Sequence, residues 1–340
     1  QTEYDRLGRV SKETYPGGYF ITNRYDPYGY LTGITDMNGT NIWNALTSNA
    51  KGQLTSISQG GRTTSYGFDA RCFPSSINSP GIMNMSYSFT ARGNLDYRPD
   101  HLTGNRETFT SDALNRLTDW TGYRNNVRQS VNSLTYHPTT GLISGKSDLG
   151  ASSVMQYGES GQPPHALTSI TGSAGLIPAT EQGITYTDFK KASQVTEGDH
   201  VLNITYGVGD ERIKTVLSNP SGTLTRYYAG NYEEEIRNGQ TRKIHYINGG
   251  NGLTALYVRN GGNDTLYYVH TDYQGNLLAL SLSNGTVRER YAYDPWGKRR
   301  DPSNWSLPDT RTTFLFHRGY TLHEHLPEFN LINMNGRMYD

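Results

Sequence analysis

The stretch YDRLGRV at residues 4–10 decides the fold, because it returns in altered form as YDPYGYL at 25–31 and as YDPWGKR at 293–299. Each copy keeps a tyrosine, an adjacent aspartate and a glycine three positions later: Tyr4, Asp5 and Gly8; Tyr25, Asp26 and Gly29; Tyr293, Asp294 and Gly297. In turns, an aspartate side chain bonds main-chain amides just beyond it, and glycine adopts the positive φ that closes a hairpin. These residues are therefore predicted to form the turns of a repeated unit, because a catalytic site has no reason to be copied many times.

The repeat has a nearly constant period, which is the signature of a repeat architecture. The turn position recurs about every 21 residues at Gly8, Gly29, Gly52, Cys72, Gly93 and Asn115. Asparagine tolerates the left-handed backbone region better than most residues, so Asn115 fits the glycine position. Weaker copies follow at 136–145, 186–195 and 206–216, and sharper ones at 270–280 and 293–301. Because side chains alternate on both flanks of the turn, each unit is predicted to be strand, turn, strand.

Composition favours the same architecture. The 340 residues include 38 glycines and 26 tyrosines, and they are 34% hydrophobic and only 18% charged. β-branched and aromatic side chains suit a pleated surface, and glycine suits tight turns. An aromatic content of 11% is too high for a disordered chain. The sequence therefore predicts an all-β protein with many short strands and few helices.

Charge and motif content exclude several functions. The formal net charge is zero, with 31 basic and 31 acidic residues, so no overall field directs the protein to nucleic acid or to an anionic membrane. Cys72 is the single cysteine, which excludes an internal disulfide framework. No apolar run of about 18 residues, no GxSxG motif and no phosphate-binding loop occurs. We therefore predict no nucleic-acid partner, no membrane span and no cofactor.

The repeats and the ending together resemble the Rhs/YD-repeat family, which comprises the bacterial Rhs core and the related C component of toxin complexes. The resemblance rests on YDRLGRV, YDPYGYLTGITD, HTDYQGN, YDPWGKRRDP and, above all, RGYTLHEHLPEFNLINMNGRMYD at 318–340. It implies a spiralling β-sheet ribbon of YD-repeat hairpins that encloses a hollow shell, formed by residues 1–310, and a C-terminal plug formed by 311–340. A stretch around 158–180, rich in Gly, Pro and Ser, is predicted to be a loop or insertion. Because an isolated ribbon exposes sheet edges, we do not expect this 340-residue piece to be a monodisperse, cooperatively melting monomer unless other turns of the shell, or a second copy, cover its ends.

The resemblance also implies a function. Such shells enclose the polypeptide's own C-terminal effector domain as cargo, in toxin complexes or type VI secretion effectors, so the protein would be exported from a bacterium as a secreted or cell-surface protein. The remaining N-terminal turns of the shell and a secretion-system spike are the other implied partners. The alternative is an adhesion or glycan-binding YD-repeat protein, with stacking faces supplied by Tyr227, Tyr228, Tyr257, Tyr267, Tyr268 and Trp43. Cross-strand packing explains tyrosines spread through a repeat better.

The closing stretch contains the residues that the resemblance assigns to the plug: Arg318, Gly319, His323, Glu324, His325, Asn335 and Gly336. Many relatives cut the chain near the plug with an arginine in a GRxYD stretch and two downstream aspartates. Arg337 matches that arginine, but the sequence stops at Asp340 before the aspartates. We therefore expect neither this self-cleavage nor any enzymatic activity. The favoured role of Arg337 is structural, in bonding main-chain carbonyls or pairing with Glu324 or Glu328.

Two further clusters suggest ligands but are better explained structurally. The HEH stretch at 323–325 lies near His317, yet only His323 and His325 share a face of an extended strand, and two ligands without a third do not define a zinc site. We therefore predict no metal. The glutamate run at 233–235 is predicted to be a solvated face, with alternation placing Glu234 opposite its two neighbours.

Overall fold

The computed structural model describes residues 1–173 and 180–339, and this part of the chain contains thirty-three β-strands and no α-helix. The predicted all-β class is therefore confirmed. Part of the predicted loop or insertion, residues 174–179, and also Asp340 lie outside the described residues. Four 3₁₀ helices occupy Ser147–Leu149, Glu159–Gly161, Tyr320–Leu322 and Pro327–Phe329.

Fifteen strands form one antiparallel sheet, here called sheet 1, in which neighbours along the chain are neighbours in space, except that the short strand Ser88–Phe89 pairs only with the strand after it. Its strands are Thr2–Tyr4 (β1), Val10–Thr14 (β2), Phe20–Tyr25 (β3), Leu31–Asp36 (β4), Asn41–Ser48 (β5), Leu54–Gln59 (β6), Arg62–Phe68 (β7), Pro74–Ser79 (β8), Met83–Ser86 (β9), Ser88–Phe89 (β10), Leu95–Asp100 (β11), Asn105–Ser111 (β12), Leu117–Arg124 (β13), Val127–Tyr136 (β14) and Ile143–Lys146 (β15). A two-stranded sheet of Val154–Tyr157 (β16) and Leu167–Thr171 (β17) follows.

Eleven strands form the second long sheet, sheet 2, which is again an antiparallel meander in chain order. Its strands are Gln182–Tyr186 (β18), Ala192–Glu197 (β19), His200–Tyr206 (β20), Arg212–Asn219 (β21), Gly222–Tyr228 (β22), Tyr232–Arg237 (β23), Gln240–Gly249 (β24), Gly252–Asn260 (β25), Asn263–Thr271 (β26), Leu277–Ser281 (β27) and Val287–Arg290 (β28). The chain ends in small sheets built from Ala292–Tyr293 (β29), Arg299–Arg300 (β30), Glu324–Leu326 (β31), Leu331–Asn333 (β32) and Met338–Tyr339 (β33).

The turn after β1 shows why the repeat folds as it does. Asp5 Oδ1 accepts hydrogen bonds from the amides of Leu7 (2.8 Å) and Arg9 (3.0 Å), and Gly8 N donates to Asp5 O at 3.0 Å. Gly8 has a φ of 76°, the left-handed region that favours glycine. The same bonds recur at Asp26 and at Asp294. The YD motif is therefore a local turn device whose side-chain bonds do not depend on distant residues.

The two long sheets share a hydrophobic core. Trp43 of β5 is fully buried, and its indole nitrogen donates to Asn251 Oδ1 at 3.0 Å in the turn before β25. The side chain of Gln59 donates to Val269 O at 2.7 Å, and Arg290 donates to Ile82 O at 2.6 Å. Tyr15, Tyr19, Ile21, Ile34, Ile42, Trp43 and Ile57 thus pack with Ile247, Ala255 and Tyr268. Successive stretches of ribbon are fixed against each other by these contacts.

Candidate functional site

The closing segment, residues 311–339, lies on sheet 2 through apolar contacts. Leu326, Phe329 and Leu331 are buried in one cluster with Val195 and Leu202. Phe316 is fully buried in a second cluster, which includes residues of β24 and β25. The segment is therefore part of the folded core, and it holds a fixed position relative to the ribbon.

A buried ionic cluster lies between this segment and sheet 2. Its members are Arg212, Arg226, Glu233, Glu235, Arg242, His317, Arg318 and Glu324. Arg226 bridges two glutamates, with Nη1 2.9 Å from Glu324 Oε1 and Nε 2.8 Å from Glu235 Oε1. Arg212 also pairs with Glu324, and Arg318 pairs with Glu233. The cluster thus joins β21, β22 and β23 to the closing segment.

His317 lies among all three carboxylates. Its Nε2 is 3.1 Å from Glu233 Oε2 and 3.9 Å from Glu324 Oε1, and its Nδ1 is 3.3 Å from Glu235 Oε1. His317 therefore contacts every carboxylate of the cluster.

The glutamate run is not a solvated face, and that prediction is wrong. Glu233 is 0% exposed, Glu324 is 1% exposed and Glu235 is 8% exposed. Burial raises the pKa of each of the three glutamates, but neighbouring side chains outweigh burial and hold the pKa below the usual value. These neighbours are Arg318 and His317 for Glu233, His317 and Arg226 for Glu235, and Arg212 and Arg226 for Glu324. The run is buried because the closing segment covers β23. Glu234 does point the other way, toward Lys243 (3.8 Å).

A second buried ion-pair group connects sheet 1 to the chain beyond sheet 2. Glu107 of β12 accepts hydrogen bonds from Arg98 Nε (2.7 Å) and from Arg300 Nη1 (2.5 Å) and Nη2 (2.8 Å). Burial raises the pKa of Glu107, but the two arginines outweigh it and bring the pKa down to about 2. Arg98 also donates to Tyr293 O at 3.1 Å. Both sheets are therefore fastened to the C-terminal part of the chain by buried charges.

The structure brings four of the predicted plug residues together. Arg318 and Glu324 belong to the ionic cluster, and the His325 amide donates to His317 O at 3.0 Å. Gly319 is packed so closely that a Cβ there would lie 2.5 Å from the Tyr293 hydroxyl and 2.7 Å from His325 Nε2. Any other residue at position 319 would displace these neighbours.

The remaining plug residues lie in two turns. His323 Nδ1 is 2.7 Å from Thr321 Oγ1, at the end of the 3₁₀ turn. Asn335 has a φ of 64°, and its amide donates to Asn333 Oδ1 at 2.9 Å. Gly336 and Arg337 follow on the surface. Glu324 is paired with Arg212 and Arg226, and Glu328 forms no ion pair in the described part of the chain, so neither carboxylate pairing considered for Arg337 is formed. The bonding of Arg337 to main-chain carbonyls stays a prediction.

The histidines of the HEH stretch have separate partners. His325 Nε2 accepts from the Tyr320 amide at 3.0 Å, and burial lowers the pKa of His325 to about 2. Across residues 1–173 and 180–339, no group of three or more His, Cys, Asp or Glu side chains is arranged to hold a metal ion.

The aromatic side chains considered for glycan stacking are mostly engaged in packing, so the structure does not support that role. Trp43 is 0% exposed and Tyr268 is 2% exposed. Tyr257 stacks on Tyr19 at 3.7 Å between ring centroids, and Tyr228 donates to Glu324 Oε1 at 3.1 Å. An extended aromatic platform is therefore not formed by this set.

Solved structures of toxin-complex proteins share this fold along the whole chain. One, of TcdB2–TccC3 without its hypervariable C-terminal region, superposes with a TM-score of 0.78 on 100% of this chain and 19% of that chain, at 16% identity. Another, of a mutant of the Photorhabdus luminescens Tc holotoxin pore, gives a TM-score of 0.69 over 100% of this chain and 19% of that chain, at 15% identity. The predicted resemblance to the YD-repeat chains of toxin complexes is thus confirmed at the level of the fold.

A curated relative gives a partial sequence match. The tRNA3(Ser)-specific nuclease WapA of Bacillus spizizenii is 31% identical over 94 residues, which are 26% of this chain and 4% of that protein. No protein-family model matches the chain. The chain spans about a fifth of the solved structures and a small part of WapA. In the described part of the chain, no helix is long and apolar enough to cross a membrane.

Proposed function

We propose that this chain is the later part of an Rhs-type shell that encloses a polypeptide attached to its C-terminal end. The observation that carries the proposal is the attachment of the closing segment to the ribbon by buried charges and apolar side chains. A polypeptide that continued from this segment would leave from a fixed point on the ribbon. TcdB2–TccC3, which shares the fold, has a hypervariable C-terminal region, and the sequence match to WapA is with a nuclease.

In this proposal residues 1–310 are the wall and residues 311–340 are the plug. Further shell turns on the N-terminal side and a secretion-system spike would be partners, and the whole protein would be exported from a bacterium to act on a target cell. The role of the wall is containment, without turnover of an external substrate. Arg337, exposed at the end of the plug, would be available to groups that follow it.

The test uses the full-length polypeptide that contains this chain. A protease recognition sequence is placed directly after residue 340, and as a matched control the same sequence is placed in the exposed turn at Asn125 and Asn126. If the chain is part of an enclosing shell, the control site is cut much faster than the enclosed site under native conditions, and both are cut equally in denaturant. Equal native cutting rates at the two sites would refute containment.

A further inference from the structure

Neighbouring turns of sheet 1 lie side by side, and a cation reaches from each of three turns to the next. The cation is the residue before the glycine position. Arg71 Nη1 donates to Thr90 O at 2.8 Å, and Arg92 Nη1 donates to Ala113 O at 3.0 Å. Lys51 occupies the same position one turn earlier. The architecture of the ribbon therefore directs the Lys51 side chain toward the turn that follows it.

At this step of the ribbon the lysine meets a side chain instead of a main-chain oxygen. Cys72 occupies the glycine position of the following turn, and its Sγ lies 2.8 Å from Lys51 Nζ. A second contact, from Gln53 Nε2 to Cys72 O at 3.3 Å, joins the same two turns independently of the lysine. In the described part of the chain, Lys51 forms no ion pair with a carboxylate. The thiol is therefore the partner of this amine.

The two atoms are close enough to react. Their distance of 2.8 Å is shorter than the usual N–H···O separation of about 2.9–3.0 Å, although sulfur is larger than oxygen. It is also below the separation of about 3–3.5 Å at which reacting atoms are poised to combine. Cys72 is partly exposed and Lys51 is exposed, so a small oxidant can reach the sulfur from solvent.

We propose that Cys72 and Lys51 form an oxidative cross-link, in which a direct bond between Sγ and Nζ joins two neighbouring turns of the ribbon. The oxidant is a hydroperoxide, with hydrogen peroxide as the simplest member of the class. A cysteine oxidised to sulfenic acid condenses with a thiol to a disulfide or with a nitrogen to a sulfenamide. Cys72 is the single cysteine, so within the chain the partner is a nitrogen. The inference goes beyond the proposed function and does not depend on it.

The reaction balances with one peroxide molecule. The Cys72 sulfur attacks a peroxide oxygen, so that a sulfur–oxygen bond forms, the oxygen–oxygen bond breaks, and a sulfenic acid and one water result. The Lys51 nitrogen then attacks the sulfur, a sulfur–nitrogen bond forms, and the sulfur–oxygen bond breaks. The hydroxide that leaves takes a proton from the nitrogen and becomes a second water. The sulfur gives up two electrons, and the peroxide accepts them.

The surroundings suit both steps. Reactive cysteines are partly exposed and lie beside cationic side chains. The hydrogen bond to the Cys72 sulfur raises the pKa of Lys51, and oxidation to the neutral sulfenic acid removes that cause, so the amine then loses its proton more readily. The hydroxyl of a sulfenic acid rotates about the Cβ–Sγ bond and can turn away from the nitrogen, as substitution at sulfur requires.

The cation next to Cys72 in the sequence does not compete for the sulfur. The Arg71 guanidinium pairs with Asp69 at 3.1 Å and donates to Phe89 O at 3.0 Å. A guanidinium also stays protonated and accepts no further bond at nitrogen. Lys51 is therefore the nitrogen nucleophile at this site.

The experiment treats the purified full-length polypeptide with hydrogen peroxide at mildly alkaline pH, digests it with trypsin in the absence of reductant and measures peptide masses. Trypsin does not cut after a modified lysine, so the expected product joins residues 25–62 to residues 72–92. Its mass is the sum of the two peptides less two hydrogen atoms. Dithiothreitol added before digestion removes the product, because thiols reduce a sulfur–nitrogen bond.

Three variants assign the bond to its two atoms. Lys51→Arg keeps the positive charge but removes the amine, so the cross-link is lost and Cys72 is found as a sulfenic or sulfinic acid. Cys72→Ser removes the thiol and also loses the cross-link. Lys298→Arg, which changes an exposed lysine in another turn, is the matched control and cross-links like the parent.

Two results overturn the proposal. The first is a folded parent polypeptide in which Cys72 is oxidised while residues 25–62 and 72–92 stay unjoined. The second is a joined product that retains an added oxygen atom, which would exclude a direct bond between Sγ and Nζ. Because both results come from the parent alone, the proposal remains falsifiable even if a variant fails to fold.

Discussion

The hydroxyl of Tyr25 donates a hydrogen bond of 2.9 Å to the main-chain oxygen of Val10, one repeat earlier in the ribbon. The guanidinium of Arg9, beside Val10, lies 4.5 Å from the centroid of the Tyr25 ring. The same arrangement recurs where Tyr136 donates to Leu117 O and Tyr206 donates to Ala192 O. In these three repeats the tyrosine at the YD position therefore fastens its hairpin to the one before it.

Removing this hydroxyl should weaken the ribbon measurably. Tyr25→Phe keeps the ring and its contact with Arg9 but loses the hydrogen bond, so we expect the free energy of unfolding to fall by about 1 kcal/mol. The measurement is urea unfolding of the full-length polypeptide. Tyr28→Phe is the matched control because the Tyr28 side chain is 88% exposed, and its effect should be close to zero. Equal effects of the two variants would contradict the fastening role.

The architecture was predictable because the repeat is encoded locally. Asp5 accepts hydrogen bonds from the amides of Leu7 and Arg9, which are only two and four positions further along the chain. The turn position can be recognised in the sequence because it is usually glycine. The order of strands follows from the same feature, since each short turn forces the next strand to pair with the previous one. Which stretches of ribbon meet was not predictable, because contacts such as Gln59 with Val269 span 210 residues and follow no pattern.

Cys72 occupies a turn position that glycine fills in other repeats, with a φ of 70°. The left-handed conformation costs a residue with a Cβ about 1–2 kcal/mol. Glycine avoids this cost, but its greater conformational freedom in the unfolded chain lowers the free energy of unfolding by about 0.5–1 kcal/mol. Cys72→Gly should therefore raise the free energy of unfolding by about 0.5 kcal/mol, measured by urea unfolding. Gly8→Ala, at a φ of 76°, should lower it by about 1 kcal/mol. Destabilisation by Cys72→Gly would show that the contact of its thiol with Lys51 Nζ (2.8 Å) outweighs backbone strain.

Glu324 should be the most sensitive residue of the closing segment. Glu324→Gln leaves the buried guanidinium groups of Arg212 and Arg226 without a full counter-charge, and such a loss costs about 3–5 kcal/mol. We expect faster hydrogen exchange and faster proteolysis between residues 311 and 339, with sheet 1 unchanged.

The matched control is Glu328→Gln in the same segment. Within the described part of the chain Glu328 forms no ion pair, and its substitution should leave exchange and proteolysis at the parent rates. If both glutamine variants open the closing segment to the same extent, the ionic cluster is not what holds the segment in place.

The ionic cluster itself could not be predicted from the sequence. Glu233 and Arg318 are 85 residues apart, and Arg226 and Glu324 are 98 apart, so no short motif contains both partners. The sequence does indicate which of the three glutamates lie together. Side chains alternate along a strand, so Glu233 and Glu235 of β23 share a face and Glu234 lies on the other. The sequence predicts that the face of Glu233 and Glu235 is exposed to solvent, because nothing in it shows that a later segment covers β23.

Acid should destabilise the protein through Glu107. Its pKa is about 2 in the folded protein, against an ordinary value of 4.5, so the folded state binds this proton less readily than the unfolded state. The stabilisation is complete above about pH 4.5 and is lost as the pH falls toward 2, and this difference is worth about 3 kcal/mol. The lowered pKa values of Glu233, Glu235 and Glu324 act in the same direction. Urea unfolding at pH 7, 5, 4 and 3 should therefore show a steep fall below about pH 4.5.

Glu107→Gln separates this contribution from the rest of the acid response. The variant should start less stable at pH 7, because Arg98 and Arg300 stay buried without their carboxylate, and it should lose stability less steeply on acidification. Glu181→Gln, at an exposed position, is the control and should keep the parent slope. A Glu107→Gln protein with the full parent slope would mean that acid acts through the cluster under the closing segment instead of through the ion pairs that hold sheet 1 to the C-terminal part of the chain.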